Sequence, residues 1–194
     1  MTEAQARAEI AAYGARLYER GLVAGASGNI SVRLRDGRLI VTPTGASLRA
    51  LDPAELVLCA ADGKPLDPEL RATSELPLHL AAYRARSEIR CVIHTHPTYC
   101  VGWSKTGRLF PLDTVGAIES LGTIAWTPYA RSGTQELADI CAAALALPVD
   151  TIVMERHGVS SVGEHLESAF LRTDLAEQTA QIEFAAFVLG SSKP

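Results

Sequence analysis

The 194-residue sequence predicts an α+β or mixed α/β sandwich. An early pair of alternating strands is followed by strands separated by helical stretches, without the even rhythm of a βαβ series. A 47% hydrophobic share with 21% charged residues provides for a real core. No internal repeat, low-complexity segment or linker divides the chain, so residues 1–194 are read as one domain.

Taken in order, residues 2–20 place Ala, Ile, Leu and Tyr at helical intervals and predict an amphipathic helix that stops near Gly21. The loop GLVAGASGN follows. In ISVRLRDGRLIVTPTG two alternating segments flank Asp36-Gly37, a dipeptide suited to the positive φ angles of a tight hairpin turn. A helix is expected over 73–86, capped by Thr73 or Ser74, with Glu75 in its first turn. Strands are expected at 89–94 and near 112–118, 122–127 and 151–156. Between the last two, Thr134 to Leu147 reads as a helix capped by Thr134. A long helix is expected from Glu164 to Leu189, apolar mainly along one stripe and closed by Gly190.

Charge and composition remove several function classes. A net charge of -4 with no basic stretch argues against nucleic acid as a partner. No apolar run reaches the roughly 18 residues of a membrane span, and MTEAQARAEI lacks the layout of a signal peptide. A cytoplasmic protein without a membrane partner is expected. Cys59, Cys91, Cys100 and Cys141 form no CxxC pair and read as reduced core residues.

The chemistry concentrates on histidines. In IRCVIHTHPTYC, His94 and His96 lie two apart at the end of an apolar run, so both emerge on one face of a strand. Pro97 ends regular pairing and leaves His96 at the rim. Alone, the pair reads equally as a metal site or as two satisfied histidines in a polar patch. His157, in DTIVMERHGVSSVG, ends a second apolar run, and three neutral imidazoles with an open fourth position form a catalytic zinc arrangement. Glu75 at a helix start reads by itself as a residue complementing the helix dipole. His79, on the same helix face, is read as structural, and His165 as a surface residue. Arg131 and Arg156 are candidates for contacting an anionic substrate, or else solvated or salt-bridged arginines.

With GASGNISVR at 25–33, TPTG at 42–45, ATSE at 72–75, HTHP at 94–97, PYARSGT at 128–134 and RHG at 156–158, the chain resembles the class II aldolase/adducin family. This group includes the zinc-dependent fuculose-1-phosphate and rhamnulose-1-phosphate aldolases. The resemblance implies a three-layer α/β/α sandwich around a mainly antiparallel sheet, assembled as a homotetramer with active sites between subunits. It implies that His94, His96 and His157 bind Zn2+, one per chain, and that Glu75 is the acid–base residue beside it. It assigns Gly28, Asn29, Thr44, Gly45, Thr73 and Ser74 to binding the phosphate and enediolate of a small sugar-phosphate-like substrate. The implied reaction is reversible retro-aldol cleavage of a small ketose phosphate through a metal-bound enediolate, with the Glu75 pKa raised so that it both takes and returns a proton. Three imidazoles and a carboxylate also suit cobalt, manganese or iron.

The chain departs from that pattern at several points. The sugar-phosphate aldolases carry a hydroxyl residue at the position of Ala26, an aromatic near Ser132 and a proton-donating tyrosine near Thr114. The sequence also stops at Pro194, short of the tail that closes over their site. Two further readings follow: a decarboxylase of the same superfamily acting on a 3-oxo acid phosphate, and a non-catalytic adducin-like binding module. Glu75 argues against the epimerase branch, which carries Asp at this position.

Overall fold

The computed structural model describes residues 1–107 and 109–190. The first helix, α1 (Glu3–Glu19), starts on a capping box in which Thr2 Oγ1 accepts from the Gln5 N–H and the Gln5 side chain accepts from the Thr2 N–H. The hairpin expected around Asp36-Gly37 forms from β1 (Asn29–Arg33) and β2 (Leu39–Val41), in the register Ser31 opposite Val41. Gly37 turns the chain with φ +89°. Further elements are β3 (Val57–Cys59), α2 (Leu76–Ala85), β4 (Cys91–Thr95), α3 (Thr98–Ser104), β5 (Ile124–Thr127), α4 (Gln135–Leu145), β6 (Thr151–Met154), β7 (Gly158–Gly163) and α5 (Leu166–Val188). Thr134 caps α4 as expected, its Oγ1 accepting from the Leu137 N–H.

The seven strands form one sheet in the order β3-β2-β1-β4-β7-β6-β5. Every pairing is antiparallel except β5 with β6. Strand alternation sends side chains to two faces. Ile30, Val32, Cys91 and Ile93 pack with Ala6, Ile10 and Leu17 of α1 and Phe170 of α5. Val92, Ile152 and Val162 pack with Leu78 and Ala82 of α2 and Leu137 and Cys141 of α4. A third cluster joins Cys100 of α3 and Phe110 to Val153, Val159 and Ala176. Helices thus cover both faces, which is the α/β/α sandwich. Each large side chain buried this way contributes about 1.5–3 kcal/mol. All four cysteines are buried and free.

Some elements differ from expectation. Residues 112–118 form no strand; one π-helical turn spans Ala117–Leu121, and Thr114 Oγ1 accepts the Ala117 N–H. The apolar Val115 and Ile118 that suggest a strand are 70% and 65% exposed, so they have no face to bury against within this chain. Conversely, β7 adds a strand to those expected. GVSSVG has weak strand propensity, yet all six residues are buried because β4 and β6 complete its backbone ladder on both sides. The α5 stripe also differs: Ala169, Thr173, Ala176, Thr179, Ala180 and Glu183 are buried, whereas Phe184, Phe187 and Val188 face outward. No described helix is long and apolar enough to cross a membrane.

Candidate active site

The sheet fixes the first imidazole. His94 lies in β4 opposite Asn29 of β1 and Ser160 of β7 and is fully buried. Its Nδ1–H donates to the Val159 carbonyl at 3.0 Å, so Nε2 keeps its lone pair and faces the site. His96 follows the end of the strand and is exposed at the rim; its backbone N–H donates to the Leu22 carbonyl at 3.1 Å. Beyond Pro97, the first N–H groups of α3 have no side-chain cap of their own. The Glu177 carboxylate of α5 accepts from Tyr99 and Cys100 at 2.9 Å each and holds that turn in place.

His157 lies in the turn between β6 and β7 rather than at the end of a strand, because the chain reverses at once into β7. Arg156, with φ 56°, makes the reversal. Its N–H donates to Ser104 Oγ at 2.9 Å, its guanidinium lies 4.5 Å over the Tyr129 ring, and it pairs with Glu155 at 3.2 Å. These contacts shape the turn, while the Arg156 side chain is 53% exposed. Gly158 follows His157 for a steric reason: a Cβ there would run into the Thr95 carbonyl and approach His96 Cδ2 to 2.8 Å and His94 Cε1 to 3.1 Å.

The three imidazoles offer ligand atoms that all lie within 4.8 Å of one another. His94 Nε2 and His96 Nε2 are 3.0 Å apart. Glu75 joins them, with Oε1 3.2 Å from His157 Nε2 and Oε2 3.6 Å from His94 Nε2. Burial pushes the His94 pKa down to about 3 despite the nearby Glu75, and lowers that of His96 as well. Imidazoles that turn ring nitrogens toward one point fit a divalent transition metal. His157 Nδ1 and Glu75 Oε2 are buried without hydrogen-bond partners among the described residues, and a cation bound by the imidazoles would take the place of the His157–Glu75 hydrogen bond. The Glu75 pKa, expected to be raised beside a metal-bound substrate, is subject to opposing influences from the protein's own groups. Burial does act in that direction, but the His157 hydrogen bond and the surrounding histidines outweigh it and hold the acid at about 2, a carboxylate at neutral pH.

Beside this cluster lies a cavity of about 120 Å3 lined by Gly28, Asn29, Thr44, Gly45, Thr73, Ser74, Glu75 and His96. It gathers all six of the residues expected to hold phosphate and enediolate. Ala26, which stands in place of a hydroxyl residue, lines it too. Two loops form its wall, joined by hydrogen bonds from the Thr44 N–H to the Arg71 carbonyl and from the Thr73 N–H to the Thr42 carbonyl, each 3.0 Å. Gly28 closes the floor at φ +80°, where a Cβ would lie 2.9 Å from the His94 carbonyl. The cap of α2 differs from expectation. Glu75 is itself the N-cap, one step before the helix, and neither Thr73 nor Ser74 caps it. The Leu76 N–H goes to the Thr73 carbonyl and Pro77 brings no N–H, leaving Thr73 Oγ1 to accept from the Glu75 N–H at 3.3 Å. Arg131 is exposed and does not line the cavity, while His79 is wholly buried beneath it.

Residues 8–184 match the family described as Class II Aldolase and Adducin N-terminal domain. The chain is 33% identical over 169 residues to an L-fuculose phosphate aldolase of Methanococcus maripaludis, covering 87% of this chain and 90% of the relative. It is 32% identical over 200 aligned positions to a 3-oxo-tetronate 4-phosphate decarboxylase of Pectobacterium atrosepticum, covering 99% and 88%. The crystal structure of L-fuculose-1-phosphate aldolase from Thermus thermophilus superimposes with a TM-score of 0.83 at 28% identity, over 98% of each chain.

Proposed function

The chain belongs to the class II aldolase and adducin family, and we propose that it is a metal-dependent lyase cleaving a carbon–carbon bond in a small phosphorylated hydroxy-carbonyl compound. The leading substrate class is a ketose 1-phosphate of the fuculose phosphate kind. One observation carries this reading: three converging imidazoles and the Glu75 carboxylate adjoin a cavity lined by Gly28, Asn29, Thr44, Gly45, Thr73 and Ser74. His94, His96 and His157 would hold zinc, which supplies a Lewis acid for the substrate's oxygens.

The protein's own groups do the rest. Glu75 is a carboxylate at neutral pH and would take a proton from the carbon beside the substrate carbonyl in the synthetic direction; in cleavage it would first accept the proton lost by the substrate hydroxyl that becomes the aldehyde, and then pass it to that carbon. Small side chains and the backbone of the 26–29 and 43–46 loops leave room for a phosphate and offer N–H and hydroxyl donors. His94, fixed by Val159, keeps the metal end rigid.

A second reading, decarboxylation of a 3-oxo acid phosphate, is favoured by Thr114. Its hydroxyl accepts the Ala117 N–H, and no tyrosine stands there to protonate an aldehyde oxygen. Loss of carbon dioxide needs no such proton. The exposed Phe184, Phe187 and Val188 of α5, with Val115 and Ile118, support a homotetramer that covers them. A cytoplasmic location is part of the same reading.

The test is metal analysis of the purified protein, followed by assays for aldehyde and for carbon dioxide from ketose 1-phosphates and 3-oxo acid phosphates. Stoichiometric zinc with aldehyde release supports the aldolase, and with carbon dioxide release the decarboxylase. Failure to take up metal, with no turnover, would sink both and leave a binding module.

A further inference from the structure

Beneath the cavity, β1 turns Asn29, Ser31 and Arg33 toward α2, which lays Glu75, His79 and Tyr83 along them. Four residues along a helix advance about 6 Å and two along a strand about 6.6 Å, so the two rows stay in step. They are joined by a buried chain of hydrogen bonds: Tyr83 Oη to Ser31 Oγ at 2.6 Å, Ser31 Oγ to His79 Nδ1 at 2.7 Å, and His79 Nε2 to Asn29 Oδ1 at 2.5 Å.

The direction of this chain follows from its far end. If Ser31 donated to Tyr83, the phenol hydrogen would face no acceptor among the described residues, and a buried donor left unpaired is unfavourable. Tyr83 therefore donates to Ser31, Ser31 donates to His79 Nδ1, and His79 Nε2–H donates to Asn29 Oδ1. Burial keeps the imidazole neutral, with a pKa of about 4 even beside Glu75, so one nitrogen accepts while the other donates. The Asn29 carbonyl oxygen is thereby fixed on His79, and its NH2 group is left for the cavity that Asn29 lines.

We propose that His79 is a positioning residue that holds the Asn29 amide in one flip state, so that its N–H groups donate to the substrate's anionic oxygen. This rests on the lyase reading for the identity of that oxygen, but the orientation itself does not. His79 touches no substrate. A neutral imidazole between a donor hydroxyl and an acceptor amide satisfies both neighbours at this spacing.

The test begins on the intact zinc-loaded protein with 15N-labelled histidine, its His79 signals identified by their loss in His79→Gln. The Nε2–H tautomer is expected; an Nδ1–H tautomer or an imidazolium would overturn the proposal. Inorganic phosphate is then titrated by calorimetry into the parent protein, His79→Phe and His79→Gln, with zinc content measured for each. His79→Phe should weaken phosphate about tenfold at unchanged zinc, and His79→Gln, whose amide can still donate to Asn29, should restore most of the loss. Equal phosphate affinity in the Phe variant, or none in the parent, overturns the proposal. If the Phe variant fails to fold, the tautomer measured in the parent decides. Absence of turnover with the expected tautomer and phosphate pattern would count against the lyase reading alone.

Discussion

His94 is paired on both sides within the sheet and its ring is tied to the Val159 carbonyl, whereas Thr44, Gly45, Thr73 and Ser74 lie on two loops joined by a few backbone hydrogen bonds. The histidine end of the site is thus anchored by one strand residue, His94, with His96 directly after the same strand and His157 in the tight β6–β7 turn, and the proposed anion end by loops supported from below by Asn29 and His79. The contrast is chemical as well as mechanical. A metal needs ring nitrogens held at fixed separations, so rigid elements suit it. A phosphate accepts from many directions, and loops of small residues are sufficient.

The largest effect should come from attacking the histidine end. His94→Ala with His96→Ala should abolish stoichiometric zinc and reduce turnover to background, as read by elemental analysis and product release; retained zinc would show that His157 and Glu75 hold the metal without the sheet. Next, Glu75→Gln should keep zinc and lower kcat by about 10²–10⁴-fold, because it removes the base and leaves the imidazoles in place. Near-normal kcat would take Glu75 out of the mechanism.

A smaller effect is expected where the backbone supports the rings. Gly158→Ala brings a Cβ against the Thr95 carbonyl and the His94 and His96 rings. It should destabilise the fold by about 1–3 kcal/mol and weaken zinc binding, seen as a lower Tm and easier chelation. The smallest should arise at the loop end. Thr44→Val removes one hydroxyl from the cavity wall and should raise KM for a phosphorylated substrate about tenfold, with little change for an unphosphorylated analogue. Loss of zinc in this variant would mean that the two ends are not independent.

Much of this site was legible in the order of residues. The HxH spacing at a strand end, the third histidine before a glycine and the Asp36-Gly37 hairpin each follow from local geometry, since strand alternation and turn chemistry act over a few residues. His79 could also have been found. The four-residue spacing of Glu75, His79 and Tyr83 facing the two-residue spacing of Asn29, Ser31 and Arg33 is written in the sequence, but its meaning depends on which helix covers which strand.

The order of residues therefore specifies the chemistry available: three imidazoles, one acid and small-residue loops, with enough apolar alternation to make a sandwich. It took the packed fold to make GVSSVG a central strand, to leave 112–118 without strand partners, and to place Glu75 at the start of α2 as a low-pKa carboxylate. One cause underlies all three. A strand's fate depends on whether neighbours complete its backbone hydrogen bonds, and a carboxyl's pKa on the donors around it, and both are set by residues distant in the chain.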